Sequence, residues 1–265
     1  MALNSKTEGS GEPLLLIHGI ISDHTFFDGL SACLKGRYQT IVYDRRGYGA
    51  GNGQAYTDFS VAAQAEDAAE IIREYAESSV WVFGNSAGGL IGLELLLRYP
   101  ELVKGLIMME PSLVFNERSR IALEAWNREL NEIRDSGRYK KALPAFSGMT
   151  GEKAVSGTST NSTSALDEMK KTYSNLKTFL EGELNEVQNY RPTKDALQFI
   201  QKPISVAVTE EGKDYPFGFS SYDAANILGW DILWLPGKHQ TVLTHTKETA
   251  ELLDKKINEM RQGCR

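Results

Sequence analysis

Six short apolar runs recur along this chain: Leu14 to His18, Thr40 to Tyr43, Val80 to Phe83, Gly105 to Met109, Ile204 to Val208 and Asp231 to Leu235. Runs this short, without polar alternation, are too brief for buried helices and read as strands covered on both faces. Between the first two, Thr25 to Leu34 places apolar residues at helical spacing, and Phe59 to Tyr75 continues as Ala-rich helical sequence with Asp58 or Ser60 as its N-cap. Strands that alternate with helices predict a mostly parallel, doubly wound α/β sheet.

The alternation is interrupted once, from about residue 113 to 201. This stretch is nearly all helical in character, with Leu123, Trp126, Leu130, Ile133, Leu176, Phe179, Leu180, Leu184 and Val187 interleaved among charged residues. The division expected is a core made of 1–112 and 202–265 and a helical cap over 113–201. Within the cap, 147–165 is dominated by Ser, Thr and Gly and is expected to be a flexible connection that gates entry. Long insertions in this position usually shape a pocket.

Bulk properties exclude several classes. The 265 residues can bury a substantial core, and 41% hydrophobic with 24% charged residues is ordinary for a globular protein. Charge sums to −6, from 29 basic against 35 acidic residues, with no basic run suited to a phosphate backbone, so nucleic acid is not an expected partner. Met1 to Pro13 is polar, which predicts no signal peptide, and no apolar run is long enough to span a bilayer. Cys33 and Cys264 form no C-x-x-C pair; a cytoplasmic protein without membrane attachment is the expectation. Asn161-Ser162-Thr163 matches a glycosylation acceptor but reads as polar loop without a secretion signal.

The chemistry is concentrated at strand ends. Gly84-Asn85-Ser86-Ala87-Gly88 joins the run Val80 to Phe83 to the Leu-rich stretch Leu90 to Leu97, giving the strand, turn and helix of a nucleophile elbow. Glycines on either side let strand and helix approach closely while the Ser86 hydroxyl projects outward. A serine hydroxyl is a poor nucleophile at neutral pH, so Ser86 requires a base, and the base an orienting acceptor. Of four histidines, His239 in Pro236-Gly237-Lys238-His239-Gln240 follows the last strand, at the same sheet edge as the elbow. His245 reads as a helix-start residue and His24 as a surface residue. Glu110, between Met109 and Pro111 at the end of its strand, is the preferred acid, and Asp214 in the acidic cluster Glu210 to Asp214 is the alternative. A carboxylate hemmed in by apolar residues needs a partner such as an imidazole, whereas the Asp214 cluster reads as solvated loop. The backbone N–H groups of Ala87 and Ile20 are the candidate oxyanion donors.

Two further patterns bear on cofactor and metal chemistry. Gly47, Gly49, Gly51 and Gly53 follow a strand, but their spacing fails the dinucleotide fingerprint and they read as a flexible loop. No Cys, His, Asp or Glu grouping has metal-ligand spacing along the sequence, so neither metal nor cofactor is expected.

Taken together, His18-Gly19, Asp44-Arg45-Arg46-Gly47, the Gly84 to Gly88 elbow and His239 resemble the α/β-hydrolase family over nearly the whole chain, in the family's order of Ser, acid, His. Met109-Glu110-Pro111 is similar to subgroups that carry the acid after the family's sixth strand, including zearalenone lactonases and haloalkane dehalogenases. The dehalogenases use an aspartate where this chain has Ser86, which disfavours dehalogenation. The stretch before His18 is too short for the family's two leading strands, so the resemblance implies that the first is missing. The usual G-x-x-D is disrupted by Glu211, which again favours Glu110. The expected activity is cofactor-independent hydrolysis of a small, partly apolar ester, thioester or lactone. Alternatives are C–C bond hydrolysis or lyase chemistry on the same fold, or a ligand receptor with a vestigial triad. Trp126, Phe146, Tyr173, Phe179 and Tyr190 are the candidate aromatic lining of the cap.

Overall fold

A computed structural model describes residues 3–49, 56–152 and 162–263, the first five of the last stretch by backbone alone. Seven strands, β1 (Ser5–Glu8), β2 (Glu12–Ile17), β3 (Tyr38–Tyr43), β4 (Val80–Asn85), β5 (Val103–Met109), β6 (Ile204–Thr209) and β7 (Asp231–Leu235), form one sheet in the order β1-β3-β2-β4-β5-β6-β7. All neighbouring pairs are parallel except β1 with β3. Six of these strands coincide with the apolar runs. β1 does not, because Ser5-Lys6-Thr7-Glu8 is a polar edge strand tied to β3 by its main chain; its pairing supplies one leading strand ahead of β2.

Pleating sorts the strand residues onto two faces. Leu15, Ile17, Ile41, Tyr43, Val80 and Val82 pack with α2 (Val61–Tyr75) and α3 (Ala87–Arg98), whereas Leu14, Leu16, Val42, Trp81, Phe83 and Met109 pack with α1 (Asp28–Leu34) and the C-terminal helix Thr246–Gly263. Helix α2 starts where Ser60, rather than Asp58, accepts a hydrogen bond from the Ala63 N–H, and Asp58 instead receives the N–H of Ser60. The chain thus leaves β2 toward one face and β4 toward the other. Between these adjacent strands the connections diverge, which opens a crevice beyond their C-terminal ends.

Between β5 and β6 lie α4 (Glu117–Asp135), α5 (Ala142–Thr150), α6 (Ser162–Thr178), a π-helical turn (Phe179–Glu183), α7 (Leu184–Asn189) and α8 (Lys194–Gln198). Leu123, Trp126, Leu130, Ile133, Leu176, Phe179 and Leu180 form a separate core with Tyr48 and Phe217. Within the described part of the Ser/Thr/Gly segment, residues up to Thr150 complete α5, Gly151 caps it at φ 70°, and 162–165 already belong to α6. Residues 153–161, including the Asn161 acceptor, lie outside the described residues, as do Gly51, Gly53 and Cys264. Gly47 and Gly49 are not free loop: the Thr178 hydroxyl donates to the Gly47 carbonyl at 2.8 Å, and the Gly49 N–H to Asn175 Oδ1 at 3.1 Å. After β6 come α9 (Pro216–Leu228), then, beyond β7, α10 (Thr241–Thr244) and α11 (Thr246–Gly263). Among the described residues no helix is long and apolar enough to cross a membrane.

The approach of α3 to the sheet tolerates no side chain at two elbow positions. A Cβ on Gly84 would collide with the Gly88 carbonyl, and one on Gly88 with the Ile17 carbonyl. Both obstacles are backbone, so neither can rotate away. Gly88→Ala is expected to cost about 1–3 kcal/mol in chemical denaturation, while Gly36→Ala, with open space around it, leaves the midpoint near wild type.

Candidate active site

Ser86 lies between β4 and α3 at φ 54° and ψ −121°, a conformation that L-residues rarely adopt and that costs on the order of 1–3 kcal/mol. Backbone bonds on both sides hold it: its N–H donates to the Met109 carbonyl at 2.8 Å, and its carbonyl accepts from the Gly89 N–H at 2.8 Å. Gly19, just past β2, comes so close that a Cβ there would sit 3.2 Å from Ser86 Cβ.

Glu110 emerges from β5 at φ 43°, with its N–H bonded to the Ala207 carbonyl at 3.0 Å. Its carboxylate is buried and fully engaged. Oε2 lies 2.6 Å from His239 Nδ1, while Oε1 accepts from the Thr209 N–H at 3.0 Å and from the Thr209 hydroxyl at 2.6 Å. Burial raises the carboxyl pKa, but the His239 hydrogen bond and charge together with the two Thr209 bonds outweigh it and hold Glu110 below the usual carboxylate range. An ionised carboxylate only accepts, so His239 Nδ1 carries a proton and Nε2 of the neutral ring is the acceptor. His239 itself follows β7 in a loop turned by Gly237 at φ 68° and packs 5.4 Å from the Phe217 ring.

Ser86, His239, Gly19, Ile20 and Asn85 line one cavity of about 300 Å³. Its remaining wall is mixed, with Ile21, Phe26, Leu143, Phe146, Phe217 and Leu243 beside Ser147, Thr150, Glu152 and Gln240. Five of the expected site residues thus meet at one sheet edge: Ser86, His239 and Ile20 on the cavity wall, Glu110 behind His239, and Ala87 at the start of α3. Asp214 does not join them; it is exposed on the turn before α9.

The aromatic lining differs from expectation. Only Phe146 reaches this cavity. Trp126, Phe179 and Tyr190 border a separate space of about 30 Å³, with Tyr190 donating to Glu94, and Tyr173 is exposed. Helical spacing identified apolar residues correctly but not which side of the insertion each faces. Thr209 was missed as well, although the ladder pairs Met109 with Ala207 and so sets Thr209 one residue past the position opposite Glu110. Glu152, whose Oε1 accepts the Gln240 N–H at 2.8 Å, lay in the segment read as connection. His245 stands between α10 and α11, bonded to the Thr244 hydroxyl at 2.9 Å.

His24 is not a surface residue. It is half-buried, with Nδ1 2.6 Å from Asp44 Oδ1, and together with Asp23 these groups lie within 4.8 Å of one another, a grouping invisible along the sequence. Their oxygens are already committed: Asp44 Oδ2 accepts from Asn4 at 2.8 Å, Asp23 Oδ2 pairs with Lys171 at 2.7 Å, and Asp23 Oδ1 accepts from Thr25. A network with a donor on each carboxylate oxygen fits a structural tie better than a metal centre.

Comparison with known proteins identifies the fold family. The family described as alpha/beta hydrolase fold matches residues 12–205, and the chain belongs to that family. It is 26% identical over 256 residues to an uncharacterised hydrolase, YraK, of Bacillus subtilis, covering 95% of this chain and 90% of that one. It is 30% identical over 125 residues to a 2-(acetamidomethylene)succinate hydrolase of Mesorhizobium japonicum, covering 47% of this chain and 45% of that one. A thermophilic esterase of Thermogutta terrifontis superposes with a TM-score of 0.72 at 18% identity, covering 97% of this chain and 93% of the esterase. The protein is accordingly an α/β-fold hydrolase.

Linkage gives a pH signature for Glu110. A carboxyl whose folded pKa lies below its unfolded value contributes stability above that value, near 4.5, and loses it as pH falls through the folded one. Glu110→Gln is therefore expected to lower thermal stability at neutral pH, with the gap to wild type closing as both are titrated below about 4.5, read as melting temperature against pH.

Proposed function

We propose that the protein is a serine hydrolase that cleaves a carboxylic ester, thioester or lactone of a small, partly apolar substrate through an acyl-enzyme on Ser86. The observation that carries this reading is the buried Glu110–His239 hydrogen bond of 2.6 Å behind a cavity that His239 shares with Ser86. The esterase of the same fold supports it as an analogue of architecture.

In this reading His239 Nε2 takes the Ser86 proton as Oγ bonds to the substrate carbonyl carbon. The carbonyl π-electrons move onto oxygen, and the oxyanion accepts from the N–H groups of Ala87 and Ile20, each worth on the order of 3 kcal/mol. As the intermediate collapses, the protonated imidazole gives its proton to the departing alcohol, thiol or lactone oxygen. Water then repeats the sequence on the acyl-enzyme, with His239 again as base. Glu110 keeps the proton on Nδ1 and stabilises the imidazolium. The helical insertion acts as the cap: α5 contributes Leu143, Phe146, Ser147 and Thr150 to the cavity wall. A volume of about 300 Å³ lies at the small end for ligand sites, which suits a short acyl chain or a single ring.

A fluorophosphonate probe is expected to label the protein stoichiometrically and to leave Ser86→Ala unlabelled. Absence of labelling in folded wild type would instead support a receptor with a vestigial triad. Steady-state turnover of an activated aryl ester separates the two acids. Glu110→Gln, whose amide favours the wrong imidazole tautomer, should lose on the order of 10²–10⁴ in kcat, and Asp214→Asn should stay close to wild type. The reverse pattern would move the acid to Asp214.

A further inference from the structure

Behind the cavity lies a buried polar network that the reaction as described does not use. Arg45 and Glu183 form an ion pair with both side chains at 0% exposure. Glu183 comes from the π-helical turn of the insertion, and Arg45 from the turn after β3. Glu183 also accepts from the Tyr48 hydroxyl and from Gln64 Nε2 at 2.9 Å, and Arg45 Nη1 donates to Gln64 Oε1 at 2.7 Å. Burial alone lowers the Arg45 pKa, but the Glu183 charge outweighs it, so the guanidinium is cationic.

One arm of that guanidinium serves two acceptors: Arg45 Nη2 donates to Glu183 Oε2 at 3.2 Å and also reaches the peptide after β2. Arg45 Nη2 donates to the Gly19 carbonyl at 2.9 Å. His18 supplies a second donor to the same oxygen: burial and the adjacent Arg45 charge push its pKa down to about 3, so it is neutral. Its Nε2 accepts the Arg45 N–H at 3.1 Å, which leaves the proton on Nδ1, 2.8 Å from the Gly19 oxygen. The amide nitrogen of this peptide is that of Ile20. In a trans peptide the C=O and N–H point in opposite directions. With Arg45 and His18 holding the carbonyl on the buried side, the Ile20 N–H is turned the other way, and Gly19 and Ile20 both line the cavity. A cationic donor on a carbonyl oxygen also draws electron density from the amide and strengthens its N–H as a donor.

We propose that Arg45 is a positioning residue: held by Glu183, it fixes and polarises the Gly19–Ile20 peptide so that the Ile20 N–H meets the substrate oxyanion. This rests on the serine-hydrolase reading. It also ties the insertion to the chemistry, because the anchor of the guanidinium belongs to the cap while its target belongs to the core.

The test compares two substrates that share an acyl group, a p-nitrophenyl ester and its thionoester. Sulfur accepts hydrogen bonds weakly, so thionoester turnover depends little on the oxyanion donors. The variants are Arg45→Lys, which keeps a charge for Glu183 but lacks the fork, and the double variant Arg45→Met with Glu183→Gln, which leaves no unpaired buried charge. In folded protein, oxoester kcat is expected to fall by about ten- to a hundred-fold with little change in KM, and thionoester kcat much less. The Ile20 amide resonance, followed by ¹⁵N NMR without substrate, should shift and exchange faster. Equal losses on both esters with an unmoved Ile20 resonance would overturn the positioning role and leave Arg45 as scaffold. Oxoester turnover that survives Ser86→Ala would overturn the underlying reading and this proposal with it, whereas Ser86-dependent turnover with an unchanged ester ratio overturns the proposal alone.

Discussion

The close approach of strand β4, helix α3 and the end of β2 around Ser86 is the constraint on which the rest of the structure depends. Ser86 sits at φ 54° because its neighbours Gly84, Gly88 and Gly19 carry no Cβ in the space where three backbones meet. That arrangement is possible only where the sheet's connections leave in opposite directions, between β2 and β4. The same crossing brings the Gly19–Ile20 peptide, the Ser86 hydroxyl and the ends of β5 to β7 to one edge. Strain of a few kcal/mol at Ser86 and Glu110 is offset by the buried apolar faces on either side of the sheet.

Two of the carboxylates buried near this edge, Glu110 and Glu183, are matched by different cation-capable partners. Glu110 faces an imidazole, a group that exchanges protons near neutral pH, and two donors from Thr209 fix its second oxygen. Glu183 faces a guanidinium, which does not release its proton, together with Tyr48 and Gln64. The first pairing suits proton transfer, the second suits geometry. Losing one member of the Arg45–Glu183 pair would strand a desolvated charge, a penalty of about 3–5 kcal/mol, which explains why both side chains are enclosed by hydrogen-bonding groups.

Much of the architecture was legible in the sequence because a parallel sheet buried on both faces writes itself as short apolar runs. Ser86, Glu110 and His239 stood out as candidates for the same reason, each lying within four residues of the end of one of those runs. What escaped was whatever depends on contacts between distant segments. The polar strand β1 has no hydrophobic signature, since the main chain of β3 holds it. Thr209 matters through ladder register, and Arg45 through a glutamate 138 residues away. Helical periodicity told that Trp126 and Phe179 are apolar but not that they face the insertion's own core. His24 looked solvent-exposed until Asp44, from another strand end, was brought against it.

The central claim is that Ser86 carries the acyl group during turnover. Intact-protein mass spectrometry of samples acid-quenched within the first turnovers of a slowly deacylated ester tests it most directly. The account predicts a mass increase equal to the acyl group, localised by peptide mapping to Ser86 and absent once the substrate is consumed. Turnover without any acyl adduct, or with the adduct on another residue, would contradict it.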